Sequence, residues 1–102
     1  MSETDRVLCR TPTKGKSAKR IDRWKYDLLR KAILASLPAK EPGVLFSDLF
    51  GRVEGRLSPR QQEEVGSIPW YTTTVKLEME VAGEILRVPD SSPQRLIRRV
   101  KK

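Results

Sequence analysis

The sequence contains no histidine and a single cysteine, Cys9. Without histidine, neither a histidine-based catalytic triad nor a histidine-containing zinc site can be built. One cysteine cannot form an intrachain disulfide, so this is not the framework of a disulfide-stapled secreted domain. No run approaches the roughly 18 apolar residues of a membrane span. The first residues, Met1-Ser2-Glu3-Thr4-Asp5-Arg6, lack an apolar h-region, so no secretory signal is expected and a cytoplasmic location is. Gly51, Gly55 and Gly66 fit neither a phosphate-binding loop nor a dinucleotide fingerprint. Cys9 lies beside Arg10, whose charge favours a thiolate, but nothing nearby supplies a base or an oxyanion site. The expectation is a non-enzyme without cofactor or metal.

What is abundant is positive charge. The 102 residues carry 21 Lys and Arg against 13 Asp and Glu, a formal +8, with only 37% hydrophobic residues. A chain of this length makes one domain with a small core. So basic a balance points to a polyanionic partner. The surplus is concentrated at the two ends. Over residues 1–20, Arg6, Arg10, Lys14, Lys16, Lys19 and Arg20 face only Glu3 and Asp5. Pro12, Gly15 and Ser17 break any periodicity there, so residues 1–20 read as a disordered basic arm. A domain is expected over 21–100.

That domain opens with a helix over about 22–37. Ile21, Trp24, Leu28, Ala32 and Ser36 lie on one line, widened by Leu29, Ile33 and Leu37. Asp22 can cap it, and Pro38 ends it. Val44-Leu45-Phe46 suits a short strand. Ser47 then marks a second helix over about 48–57, in which Gly51 and Gly55 are weak points. Ser58-Pro59-Arg60-Gln61 is a capping-box start for a short helix ending near Val65, before Gly66. A further helix is expected over about 70–82. Trp70, Thr74, Leu77 and Val81 form its apolar line, and Thr72, Thr73, Lys76 and Glu80 its outward face. Trp24 and Trp70 both read as core residues. From Gly83 the period changes. Residues 84–88 and 94–100 are β-like around Pro89-Asp90-Ser91-Ser92-Pro93, a hairpin that residues 44–46 can join.

The predicted fold class is therefore α+β: three main helices, a short extra helix and a C-terminal β-hairpin forming a small antiparallel sheet. This order resembles the winged-helix type of helix-turn-helix domain. The passage from Val81-Ala82-Gly83 into Glu84-Ile85-Leu86-Arg87-Val88 is similar to the recognition-helix exit of that family. Two segments, Arg20-Ile21-Asp22-Arg23-Trp24-Lys25-Tyr26-Asp27 and Trp70-Tyr71-Thr72-Thr73-Thr74-Val75-Lys76-Leu77, resemble the signatures of a family of small bacterial proteins of unknown function. That second likeness implies no activity.

The winged-helix resemblance implies binding of double-stranded DNA, in a transcription-related or nucleoid-related role. Thr72, Thr73 and Lys76 would then enter the major groove, and Arg87, Arg95 and Arg98 of the wing would lie along phosphates, joined by Lys19 and Arg20 of the arm. The competing reading is a protein-docking winged helix that uses the exposed face of helix 70–82 or the wing, with homodimerisation open to it. Glu78 and Glu80 on the would-be recognition helix favour the second reading. A membrane role fits poorly, because the apolar stripe of the first helix is needed for the core.

Overall fold

The computed structural model describes residues 5–12 and 17–99. The chain begins with an antiparallel pair, β1 (Arg6–Cys9) and β2 (Lys19–Asp22), with Val7 opposite Ile21 and Leu8 opposite Arg20. For residues 6–9, 19 and 20 this corrects the expectation of a disordered arm over residues 1–20. Val7, Leu8 and Cys9 form an extended apolar run, and Cys9 and Ile21 turn into the core, a burial that a short hairpin alone could not supply. Lys14 and Lys16 of the expected arm lie outside the described residues.

Asp22 occupies the N-cap position of α1 (Arg23–Ser36), although its side chain makes no cap hydrogen bond and lies 3.7 Å from Arg6 instead. Leu29, Ala32, Ile33 and Ser36 form the buried face of α1. β3 (Val44–Leu45) leads directly into α2 (Phe46–Glu54). Ser47 is thus not the cap. The Phe46 N–H donates to Gln94 O at 2.9 Å, so the sheet fixes where the helix begins. The short helix α3 (Pro59–Val65) has the expected capping box: Ser58 Oγ accepts from the Gln61 N–H, and Gln61 Oε1 accepts from the Ser58 N–H.

α4 (Ile68–Ala82) starts two residues earlier than its sequence suggested, with Ser67 as cap and Pro69 in the first turn. Gly83, left-handed at φ 78°, ends it. β4 (Ile85–Arg87) and β5 (Arg95–Arg98) form the C-terminal hairpin. The sheet order is β3-β5-β4, entirely antiparallel, so the short strand before α2 does join the hairpin. The fold class is α+β as expected, with four helices and two small antiparallel sheets among the described residues, in an order consistent with a winged-helix-like domain. Leu29, Ile33, Leu49, Val53, Val75, Met79 and Leu96 meet between the helices and the three-stranded sheet as a single core. Among the described residues, no helix is long and apolar enough to cross a membrane.

Gly43 fixes the approach to β3. Its φ is +80°, and a Cβ there would stand 2.5 Å from Leu96 O on the neighbouring strand. Both the backbone conformation and the space demand glycine. Gly51, inside α2, has nothing within 4 Å of an added Cβ. Urea unfolding should therefore show Gly43→Ala destabilised by about 2–3 kcal/mol and Gly51→Ala stabilised by about 1 kcal/mol.

Candidate functional site

α4 runs between the two hairpins, and its 100° rotation per residue decides what each side chain meets. Ile68, Thr72, Val75 and Met79 point into the core. Glu78 and Glu80, two positions apart, leave the helix on opposite sides. Glu78 accepts three hydrogen bonds from Arg10: from the main-chain N at 2.8 Å, from Nε at 2.8 Å and from Nη2 at 2.6 Å. Glu80 accepts from the Arg87 guanidinium on β4 and pairs with Lys76 Nζ at 2.9 Å. Each hairpin is thus tied to α4 by an arginine seated on a largely buried carboxylate.

This geometry redistributes the residues expected to read DNA. Thr72 is completely buried, and Lys76 is 2% exposed with Nζ 4.4 Å from the centroid of the Phe46 ring. Burial lowers the Lys76 pKa from its ordinary value, and the Glu80 carboxylate partly restores it. Neither residue faces outward, which corrects the sequence expectation. Thr73 remains partly exposed. Arg87 is committed to Glu80. Arg98 donates from Nε to Leu37 O at 3.1 Å, and Arg95 from Nη1 to Gly43 O at 3.4 Å. An odd spacing along β5 turns Arg95 and Arg98 to opposite faces of the sheet. Lys19 and Arg20 are exposed on β2, in the other sheet. The eight residues do not form one surface.

What α4 presents to solvent is its other apolar line. Trp70 is 46% exposed and Val81 37%, with Leu77, Thr73 and Thr74 partly exposed between them. The assignment of Trp24 and Trp70 to the core is also corrected, since Trp24 is 36% exposed. The cue lay in the start of the helix. With Ser67 as cap, Ile68, Thr72, Val75 and Met79 form an equally regular stripe, and Trp70 falls opposite it. At the N-terminal end of this face, Lys25 Nζ lies 4.5 Å from the Tyr71 ring centroid and 5.6 Å from that of Trp24. It also donates to Tyr71 Oη and to Val65 O, each at 3.2 Å. Tyr71 in turn meets Trp70 edge-on at 4.8 Å. The two segments singled out in the sequence, around Trp24 and around Trp70, therefore come together here.

Cys9 is buried beside this frame. Burial, and secondarily the Glu78 charge, pushes its thiol up to about 11. The expected help from Arg10 is absent because its guanidinium is spent on Glu78. Among the described residues, no group of three His, Cys, Asp or Glu side chains could hold a metal ion.

Two measurements test this frame. The Arg10 hydrogen bonds hold the Glu78 carboxyl below its ordinary 4.5. A carboxylate with a depressed folded-state pKa contributes stability above the unfolded value, and that contribution is lost as pH falls through the folded one. The urea midpoint should drop between pH 5 and pH 3, and Glu78→Gln should be less stable at pH 7 with a flatter pH profile. Among the described residues, the buried Thr72 hydroxyl oxygen has no hydrogen-bond partner. Thr72→Val should therefore raise stability by about 1 kcal/mol in the same assay; a loss would mean that the hydroxyl is satisfied.

A family model described as a family of unknown function (DUF6958) matches residues 6–96. Comparison with curated proteins and with solved structures returned no match.

Proposed function

We propose that this chain, which belongs to the DUF6958 family, is a non-catalytic winged-helix module that docks an acidic, amphipathic segment of a protein partner on the exposed face of α4. One observation carries the reading: the helix in the recognition position turns Trp70, Leu77 and Val81 to solvent and buries Thr72 and Lys76. Base edges in a groove call for hydrogen-bonding side chains. A face of aromatic and aliphatic residues suits an amphipathic helix laid along it. The rim sets the sign of the partner. Arg10 and Arg87, about half exposed, border the face on either side. The chain's formal +8 disfavours a second copy of itself and favours an acidic segment. Trp24 and Trp70 supply the kind of aromatic anchors that dominate binding energy.

Double-stranded DNA is the second reading. It rests on the +8 balance and on Lys19 and Arg20, which are exposed on β2 and have no carboxylate partner among the described residues. In that case the N-terminal hairpin would follow phosphates, and a transcription-related or nucleoid-related role would follow.

Tryptophan emission separates the two. A synthetic amphipathic helix with leucines on one face and glutamates flanking them should bind with a Kd on the order of 10–100 µM and shift the emission to the blue. Leu77→Asp should abolish the shift while leaving the thermal midpoint nearly unchanged. Absence of any shift in the unmodified chain would sink the docking reading. Binding of a random duplex with a steep salt dependence, lost in the Lys19→Gln/Arg20→Gln double variant and kept in Leu77→Asp, would transfer the assignment to DNA.

A further inference from the structure

The cations not used by the α4 frame gather elsewhere. An open cleft lies between the second half of α1, the C-terminus of α4 and the end of β5, with Arg30, Lys31, Arg98 and Arg99 around it and Glu84 as its one carboxylate. Glu84 is already engaged: Arg30 Nε donates to its two oxygens at 3.0 and 2.9 Å, and Arg30 Nη2 adds a further hydrogen bond. Arg98 is anchored through its main-chain N to Pro38 O at 2.9 Å and through Nε to Leu37 O at 3.1 Å. Its two Nη groups have no protein acceptor among the described residues. The Arg99 main-chain N donates to Glu84 O at 2.9 Å, and its Nη1 lies 3.2 Å from where a Cβ on Gly83 would stand. Lys31 is exposed and has no ion pair among the described residues. The C-terminus of α4 contributes roughly half a negative charge, too little to offset three cations that have no ion pair among the described residues.

We infer that this cleft binds a small organic phosphate, with its phosphate group on Arg98, Arg99 and Lys31. The Arg98 guanidinium, held at Nε by Leu37 O, offers its Nη groups as a fork that matches phosphate oxygens in shape as well as charge. Beside the cations, Leu34, Ala35, Leu37 and Ala82 form an apolar wall that takes the uncharged part of such a molecule. Ala82 and Gly83 at the end of α4 form one side of the cleft. That favours a single compact group over the long rod of a duplex. The site is independent of the docking face, since neither Trp70 nor Leu77 lines it.

Calorimetric titration of the full chain with pyrophosphate, and with a nucleoside diphosphate, tests this at about 150 mM salt, where weak surface attraction is largely screened. Pyrophosphate should bind with a Kd on the order of 100 µM, and the nucleoside diphosphate more tightly through its added apolar surface. Lys31→Gln, at an exposed position with no ion pair among the described residues, should weaken both at least about tenfold, a change of 1.4 kcal/mol. Arg98→Gln should do the same. Arg60→Gln, on α3 and paired with the exposed Glu64, should leave both unchanged. The inference is overturned by no heat with pyrophosphate up to the millimolar range, or by equal weakening in Arg60→Gln. It is likewise overturned if a random duplex or anionic phospholipid vesicles bind more tightly than the nucleoside diphosphate in a Lys31-dependent way.

Discussion

Everything in this structure is arranged around two glutamates of one helix. Glu78 and Glu80 stand two positions apart in α4 and so diverge to opposite sides, each to receive an arginine from a different hairpin. A carboxylate withdrawn from water is costly unless its oxygens are filled. Arg10 fills those of Glu78 with three donors, while Arg87 and Lys76 share Glu80. The pairs, together with Ile68, Val75 and Met79 in the core, hold the rotation of α4 about its own axis. Once that rotation is set, Thr72 and Lys76 must lie inside, and Trp70, Leu77 and Val81 must lie outside. The character of the exposed face follows from electrostatics at its edges.

The parts of this fold that local chemistry dictates were legible in the sequence. Ser58, Pro59 and Gln61 announce α3, Gly83 ends α4, and the change of period after Gly83 announces the hairpin. The order of elements from α1 onward, and with it the fold class, could be read from such marks. What could not be read depended on distant partners. Arg10 and Glu78 are 68 positions apart, and nothing near Arg10 says that residues 6–9 will form a strand. α4 carries two stripes of similar hydrophobicity, one through Ile68 and Met79 and one through Trp70 and Val81. The helix period alone cannot choose between them. Two residues of error at the start of the helix were enough to turn it inside out.

The same two residues govern the reading of function. With the Trp70 line inward, α4 would present threonines and a lysine and look like a groove reader. With that line outward, it presents an apolar ridge bordered by arginines. The surplus charge is correspondingly dispersed. Arg95 and Arg98 lie on opposite faces of the sheet, Lys19 and Arg20 belong to the other hairpin, and Arg98 and Arg99 line a cleft at the far end of α4 from Trp70. A high net charge describes how the molecule attracts polyanions from a distance; where side chains are anchored decides what it can hold.

The tie between Arg10 and Glu78 also bears on how the chain acquires its shape. β1 leaves the ribosome before α4 does, and the carboxylate that receives Arg10 lies 68 positions further along the chain. Until α4 emerges and takes up its rotation, Cys9 and Ile21 have no complete core to enter, and the hairpin has no anchor. Contacts of such sequence separation carry a large loop-closure cost and form late. β1 and β2 are thus made before the element that secures them.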